Sequence, residues 1–387
     1  MTSEGTGAKE KLSGGQALVK ALRAEGVEVI FGIPGAHVGH IYDALLAEPG
    51  IRRIVARHEQ GAAFMADGYA RATGRPGVVI VTGGPGISNA ATPLSEAYVD
   101  SSPVLAISSQ VESEYIGLER GNLHEMKDQR GLAQSVTGWH DRATRVAEIP
   151  ALVHEAMRRF KTMRPRPVHI EIPTDVLEAT ADVSLLACEE YPRPRGDERA
   201  VGEAVELLRK AGRPLIYAGG GIAASGAERE LVQLAQILGA PVMTTVVGKG
   251  AIPEDHPLAL GTSRRLSGAM RALVETSDLV LVIGSKLGAM ATDRWRLPLP
   301  ANLIHVDIDP SVIGQTYPAR LGIVGDARMV LQQLIEGLRD LEPRPSCANQ
   351  VAEAVQEKVR TLWDRLPRQM SILQDIRNAL DRDAIVA

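Results

Sequence analysis

The sequence predicts an α/β protein made of two doubly wound parallel-sheet domains. Three observations carry this. Short apolar runs, as at 27–31, 51–56, 78–81 and 104–107, alternate with segments of helical length. Several of these runs end in turns built for ligands rather than for hairpins: Gly32-Ile33-Pro34-Gly35, Arg57-His58-Glu59 and Thr82-Gly83-Gly84-Pro85-Gly86. The same alternation begins afresh beyond a stretch rich in Pro, Arg and Glu at 184–198, which reads as a linker.

In order, residues 14–26 carry an apolar helical face (Ala17, Leu18, Ala21, Leu22), and a buried strand follows at 27–31. Helix 37–47, strand 51–56, helix 59–73, strand 78–81, helix 88–99 and strand 104–107 continue the series. A helix at 149–161 and a strand at 168–172 complete a first domain, 1–183. The second domain, 199–341, reads as helix 200–210, strand 214–218, the turn Gly219-Gly220-Gly221, helix 225–238 and strand 241–246. Helix 267–275, strands 278–283 and 303–308 and helix 328–338 follow. Strands spaced by helices form parallel sheets with right-handed crossovers. Residues 342–387 read as a linker and helices, closed by a short apolar strand at 384–387. A lone terminal strand has no sheet to join, so the expectation is a chain cut at the start of a third domain.

With 387 residues there is room for two or three full cores. A net charge of -4 gives no nucleic-acid or acidic-tail signal. The two cysteines, Cys188 and Cys347, form no metal or disulfide pattern. Neither a signal-peptide core nor a run near the ~20 apolar residues of a membrane span is present. A cytoplasmic protein is expected, with neither nucleic acid nor membrane as partner.

Glu59 is the leading candidate for chemistry. It stands where a parallel strand gives way to a helix, and the glycine turn at 82–86 holds the equivalent place after the next strand. A carboxylate beside a glycine-rich turn at strand carboxyl ends is how open α/β sheets build ligand crevices. A solvated glutamate favoured by the helix dipole is the alternative for such a residue standing alone. Glycines at 83, 84 and 86 let backbone approach a flat ring, and the helix start offers unpaired N–H groups.

The segments FGIPGAHVGHIYDAL, RHEQGAAFMADGYARATGRPGV, VTGGPGISNAATPLSEAYVDSSPVLAISSQV, RPRPVHIEIPTDV and IHVDIDPSVIGQTYPARLGIVGDA resemble, in the family's own order, the thiamine-diphosphate-dependent enzymes, and within them the acetolactate synthase large subunits. The resemblance runs from about residue 13 to 340. It implies a pyrimidine-binding domain followed by a Rossmann-like central domain, with the diphosphate-binding domain missing. It makes Glu59 the activator carboxylate that hydrogen-bonds a pyrimidine ring nitrogen, a role that requires a dry crevice. By the same resemblance Pro34, Gly35, Ala36, Thr82, Gly83, Pro85, Gly86, Asn89 and Gln110 line the cofactor crevice. His124 and Gln129, in GNLHEMKDQ, fall on a substrate-side loop, where a proton-shuttling histidine and a surface histidine are both open readings.

In the group that this chain resembles, the central domain often carries FAD as a structural cofactor, with Gly219, Gly220, Gly221, Asp307 and Asp326 as the candidate contacts here, while related central domains are often empty; both readings are open. The flavin-side motif is reduced here to Asp293-Arg294, and Gly248-Lys249-Gly250 replaces a leucine-containing turn. Phe-Gln-Glu of the acetolactate synthases is Leu123-His124-Glu125 here, and Gly138 replaces the lysine before Trp139. Gly-Asp-Gly, the family's Mg²⁺ and diphosphate motif, does not occur in these residues; Gly325-Asp326-Ala327 is a different motif. No metal ligand is therefore assigned. The expected activity is decarboxylation of a 2-oxo acid such as pyruvate and ligation of the two-carbon unit to an acceptor carbonyl, in a homodimer or homotetramer with a regulatory subunit as a further partner. Alone, the chain is expected to be inactive. A 2-oxo acid or acyl-CoA decarboxylase and a non-catalytic partner subunit are the alternatives. A nicotinamide dehydrogenase fares poorly, because Leu238-Gly239-Ala240 offers no acid for a ribose.

Overall fold

The computed structural model describes residues 9–264 and 266–384, and the chain divides into two compact units, Met1–Pro192 and Arg193–Ala387.

The first unit opens with β1 (Glu10–Ser13) and α1 (Gly14–Ala24). Ser13 and Gln16 form a reciprocal capping box that starts α1, and Ala17, Leu18, Ala21 and Leu22 are buried as their spacing requires. Each leucine so buried contributes about 1.5–3 kcal/mol. There follow β2 (Val29–Gly32), a 3-10 turn at Ala36–Val38, α2 (Gly39–Leu46), β3 (Arg52–Val55), α3 (Glu59–Thr73), β4 (Gly77–Val81), α4 (Pro85–Asp100) and β5 (Val104–Gln110). The unit continues with α5 (Gln129–Val136), β6 (Trp139–Arg142), α6 (Ile149–Thr162), β7 (Val168–Pro173), α7 (Thr174–Glu178) and β8 (Thr180–Val183).

Six of these strands form one parallel sheet in the order β3-β2-β4-β5-β7-β6. The chain leaves β2 toward β3 on one side, then returns past it to β4 on the other. The β2/β4 boundary is therefore the sheet's switch point, where outgoing loops diverge and leave a crevice. Strands β4, β5 and β7 are buried along their full length, which is why they read as unbroken apolar runs.

Two features of this unit escape the sequence reading. β1 pairs antiparallel with β8, Glu10 opposite Val183, although neither segment is expected as a strand from its sequence. Four-residue β6 is half-buried at the sheet edge and carries Trp-His-Asp-Arg, with no apolar alternation to announce it. Other differences are of boundary. Helix 37–47 divides into the 3-10 turn and α2. α4 begins at Pro85 rather than 88, because proline suits the first helical turn.

The second unit contains α8 (Glu198–Lys210), β9 (Pro214–Ala218), α9 (Gly221–Ser225), α10 (Glu228–Leu238), β10 (Val242–Thr244), β11 (Ala259–Thr262) and α11 (Gly268–Thr276). It ends with β12 (Leu279–Ile283), β13 (Leu303–Asp307), β14 (Leu321–Val324), α12 (Ala327–Gly337), α13 (Ala348–Arg365) and α14 (Pro367–Ala379). Its parallel sheet runs β11-β10-β9-β12-β13-β14, the strand order of dinucleotide-binding folds. The helix expected at 225–238 is split by Gly226, which takes φ +63°.

α13 is also a departure. It falls beyond the expected boundary at 341, yet Val351 and Ala354 are buried in this unit's core and Glu357 accepts hydrogen bonds from the Gly268 and Ala269 backbone N–H groups at the start of α11. Three residues of the terminal strand expected at 384–387 lie outside the described residues, and Ala384 is irregular. No helix among the described residues is long and apolar enough to cross a membrane.

Candidate active site

Glu59 is the first residue of α3. His58, extended, caps that helix by accepting from the Gln60 N–H at 3.1 Å. Glu59 is half-buried, and the Asn89 side-chain amide on α4 donates to its Oε2 at 2.9 Å. Two helices that leave adjacent regions of the switch point are thus tied through one carboxylate oxygen. The other oxygen keeps its acceptor capacity. The crevice expected to be dry is open enough to leave Glu59 partly in contact with solvent.

Between β4 and α4 lies the glycine turn. Gly84 has φ +56° and ψ -105°, and a Cβ there would lie 2.2 Å from the His124 carbonyl oxygen, so no other residue fits. A Cβ on Gly83 would lie 2.7 Å from the Ser109 carbonyl. Pro85 and Gly86 open α4, and Pro34, Gly35 and Ala36 are exposed on the loop that follows β2. An ideal Cβ on Gly35 lies 3.7 Å from Thr82 Oγ1, which sets this loop against the glycine turn.

Beneath the turn is a buried polar network. The Gly83 N–H donates to Ser109 Oγ at 2.8 Å, and the Gly84 N–H to Gln129 Oε1 at 2.7 Å. The Gln129 amide nitrogen lies within hydrogen-bond distance of Ser108 Oγ (3.0 Å), the Ser109 carbonyl (2.9 Å) and Glu171 Oε2 (2.6 Å). Glu171 is fully buried and paired with Arg142 from β6, and the Gln110 amide reaches it at 3.3 Å. His169 Nε2 meets Ser108 Oγ at 2.8 Å; burial pushes this imidazole down to about 3, so it is neutral.

This network corrects two expectations. Gln129 is not on a substrate-facing surface: it is buried, and it holds the glycine turn in place. Gln110 is likewise buried at the end of β5, its carbonyl oxygen accepting from the Val111 N–H at 2.9 Å. Both act on the crevice through its floor. Sequence reasoning missed Glu171 and His169, which alternate with apolar residues on β7 as in ordinary strand sequence, and Arg142 on β6, a strand without alternation. The signal that could have found them is a glutamate and a histidine inside the apolar strand VHIEIP, where buried polar groups require partners.

Two polar atoms of the crevice are buried without a protein partner: Thr82 Oγ1 and His37 Nδ1. Such atoms are costly unless something else pairs with them. Together with the free oxygen of Glu59 and the side-chain-free glycine turn, they fit a flat heterocycle with its own donors and acceptors. They therefore fit the pyrimidine of thiamine diphosphate.

In the second unit the residues expected to meet a flavin have other work. Gly219 and Gly221 pack on the Gly284 backbone, where added Cβ atoms would lie 2.2 and 2.6 Å from its oxygen and Cα, and the Gly221 N–H donates to the Gly284 carbonyl at 3.0 Å. Gly220 faces Val247. Asp326 is buried and caps α12, accepting from the Arg328 and Met329 N–H groups while pairing with Arg193 at 2.9 Å. Asp307 accepts from the Asp309 N–H. These contacts account for Gly219, Gly221 and Asp326 without a flavin. Among the described residues no group of three or more His, Cys, Asp or Glu side chains is placed to hold a metal ion.

Both units match domains of known proteins. Residues 12–132 match the thiamine pyrophosphate enzyme N-terminal TPP-binding domain, and residues 201–334 match the central domain of the same enzymes. Among the similar proteins is one of Pseudomonas aeruginosa named "Probable 2-ketoarginine decarboxylase", 41% identical over 98% of this chain and 68% of its own length. A "Probable acetolactate synthase large subunit" of Methanocaldococcus jannaschii is 40% identical over 86% of this chain and 57% of its own. The acetolactate synthase large subunit of Corynebacterium glutamicum is 37% identical over 85% of this chain and 53% of its own. The chain thus spans between about half and two-thirds of the length of these relatives. With both domain types matched in order and a relative this similar across nearly all of it, the chain belongs to the thiamine pyrophosphate (thiamine diphosphate) enzyme family.

Proposed function

We propose that this chain supplies the pyrimidine-binding half of the site of an enzyme that decarboxylates a 2-oxo acid. One observation carries the reading: the Asn89 amide fixes one oxygen of Glu59 beside the glycine turn, leaving the other free to share a hydrogen bond with a ring nitrogen. Thiamine diphosphate, when bound, supplies a carbon acid that adds to a carbonyl. Glu59 holds the proton shared with the pyrimidine nitrogen. Gly83 and Gly84 would admit the ring's face, and Thr82 Oγ1, buried without a protein partner, would offer it a hydrogen bond. The Gln129–Glu171–Arg142 network keeps the turn from moving as the ring binds.

Within that chemistry, carboligation of the acetolactate synthase kind is the leading reading: the two-carbon unit left by decarboxylation joins an acceptor carbonyl. Decarboxylation without ligation is the second. It is favoured by the 41% identity, across nearly the whole chain, to a protein named as a decarboxylase. Mg²⁺ and the diphosphate would be held by residues outside this chain, so the chain alone would be inactive. The complete enzyme would be a cytoplasmic homodimer or homotetramer, its site formed where the pyrimidine-binding domain of one copy meets the diphosphate-binding domain of another. No step is assigned to a flavin.

The test uses the pyrimidine half of the cofactor. Saturation-transfer NMR with 4-amino-5-hydroxymethyl-2-methylpyrimidine is expected to show transfer to the ring methyl group, lost in Glu59→Gln. Absence of transfer in the unmodified chain overturns the reading. Carbon dioxide with an acetohydroxy acid, or with an aldehyde, then separates the two reactions in the complete enzyme.

A further inference from the structure

Away from the crevice, the first unit sets an amine against a thiol. Lys161, in the last turn of α6, donates from Nζ to Cys188 Sγ at 3.1 Å and to the Glu189 carbonyl at 3.0 Å. Cys188 is exposed on the segment that follows β8. That segment is fastened by its neighbours as well. His154 shares the face of α6 that carries Lys161, seven residues earlier. Its Nε2 lies 3.0 Å from the Tyr191 hydroxyl, which donates to Glu189 Oε2 at 2.8 Å. Sulfur is therefore held beside the amine by several contacts, not by its own hydrogen bond alone.

Glu25, at the end of α1, completes the group. Its side chain is 2% exposed, and His154 Nδ1 meets its Oε1. Its Oε2 is buried without a hydrogen-bond partner and stands 3.6 Å from Lys161 Nζ. A buried carboxylate oxygen with spare acceptor capacity beside an amine is placed to take a proton from it.

We propose that Lys161 and Cys188 form a modification site, at which a peroxide joins sulfur to nitrogen with Glu25 as the base. The thiolate is the form of cysteine that peroxides attack, and a donating ammonium pairs with it. In the first step an S–O bond forms and the peroxide O–O bond breaks. The hydroxide released takes a proton from the ammonium and leaves as water, so a sulfenic acid faces a neutral amine. In the second step an S–N bond forms and the S–O bond breaks. Glu25 takes the proton that nitrogen sheds and passes it to the departing hydroxide, which leaves as a second water. Sulfur is oxidised, the peroxide is reduced to water, and thiol and amine together lose two hydrogens. The link ties the segment after β8 to α6, spares Cys188 the irreversible sulfinic acid, and is reopened by an external dithiol.

The experiment exposes the 387-residue chain to hydrogen peroxide, blocks free thiols with iodoacetamide and cleaves after glutamate. Lys161 then lies in the peptide 156–171 and Cys188 in 179–189. Mass spectrometry is expected to find the two as one species, lighter than their sum by two hydrogens and separated by dithiothreitol. Lys161→Arg keeps the charge but not the amine; the joined species should vanish and Cys188 should run on to sulfinic acid. Glu25→Gln should slow joining by about a hundredfold, the low end of general-base assistance, and divert Cys188 the same way. Cys347, half-buried and with its thiol pushed up by burial, should resist the same peroxide. Peptides that stay separate in the unmodified chain, with as much sulfinic acid at Cys188 as in Lys161→Arg, overturn the proposal. A joined species that retains an oxygen overturns the S–N bond, and an unslowed Glu25→Gln overturns the role of the carboxylate.

Discussion

The Asn89 amide and Glu59 Oε2 stand 2.9 Å apart across two helices that flank the glycine turn, so the carboxylate is aimed by a neighbour rather than by its own rotamer preference. Removing Asn89 should then cost affinity for the pyrimidine without costing fold, since Asn89 is exposed. Asn89→Ala is expected to weaken pyrimidine binding about tenfold, the worth of a hydrogen bond to a charged group. Calorimetry on the variant, set beside an unchanged thermal midpoint, checks both halves.

The floor of the crevice makes the opposite prediction. Arg142→Ala strips the counter-charge from Glu171, which is wholly buried, and should destabilise the first unit by about 3–5 kcal/mol. Gln129→Leu leaves the Gly84 N–H and Glu171 short of a partner and should cost about 1–3 kcal/mol. Urea midpoints for the two variants decide. Unchanged midpoints would mean that the network is not load-sharing and that the turn is held by packing alone.

Gly84 offers a sharper test of the turn itself. Gly84→Ala combines a positive φ with a Cβ 2.2 Å from the His124 carbonyl. A cost of at least about 1–3 kcal/mol in stability is expected from the strained backbone. The segment bearing His124 must also shift, so its amide signals should move more than those of the distant β1–β8 pair. A perturbation confined to residues 82–86 would contradict this.

The order of elements and the ligand end of the first sheet were legible because parallel strands buried on both faces announce themselves as apolar runs, and because Gly83-Gly84-Pro85-Gly86 can serve few purposes beside a strand end. Glu59 and Asn89 were found by motif, and the structure brings them into contact. What could not be read were pairings that depend on partners distant in sequence: β1 with β8 and Arg142 with Glu171. A four-residue strand with no alternation, such as β6, carries no periodic signal at all. Gln129 was misplaced for a related reason. Its motif neighbours are exposed, and only the fold shows that its own side chain turns inward beneath the glycine turn.

Asp326 separates a structural role from a cofactor role in the second unit. Its carboxylate caps α12 and pairs with Arg193. Asp326→Ala should therefore cost about 0.5–2 kcal/mol, the worth of a helix N-cap. Asp326→Asn, which keeps the cap acceptor, should recover most of it. Equal losses in the two variants, read by thermal denaturation, would show that the charge rather than the cap matters.

The neutral His169 fixes how the first unit responds to acid. Its folded value, about 3, lies below the ordinary 6.5 because the ring is buried, and nearby His140, Arg130 and Arg142 add to the effect. Above 6.5 the ring is neutral in both states and the fold pays nothing for it. As pH falls from 6.5 toward 3 the unfolded chain binds a proton that the folded chain refuses, so stability declines with pH across that window, by up to about 1.4 kcal/mol per pH unit. Below about 3 both states are protonated and the loss levels off. His169→Asn removes this term while keeping a polar group near Ser108 Oγ. Plots of unfolding free energy against pH should accordingly be shallower for the variant than for the unmodified chain between pH 4 and 6. Parallel plots would mean that the ring finds a proton in the folded state after all.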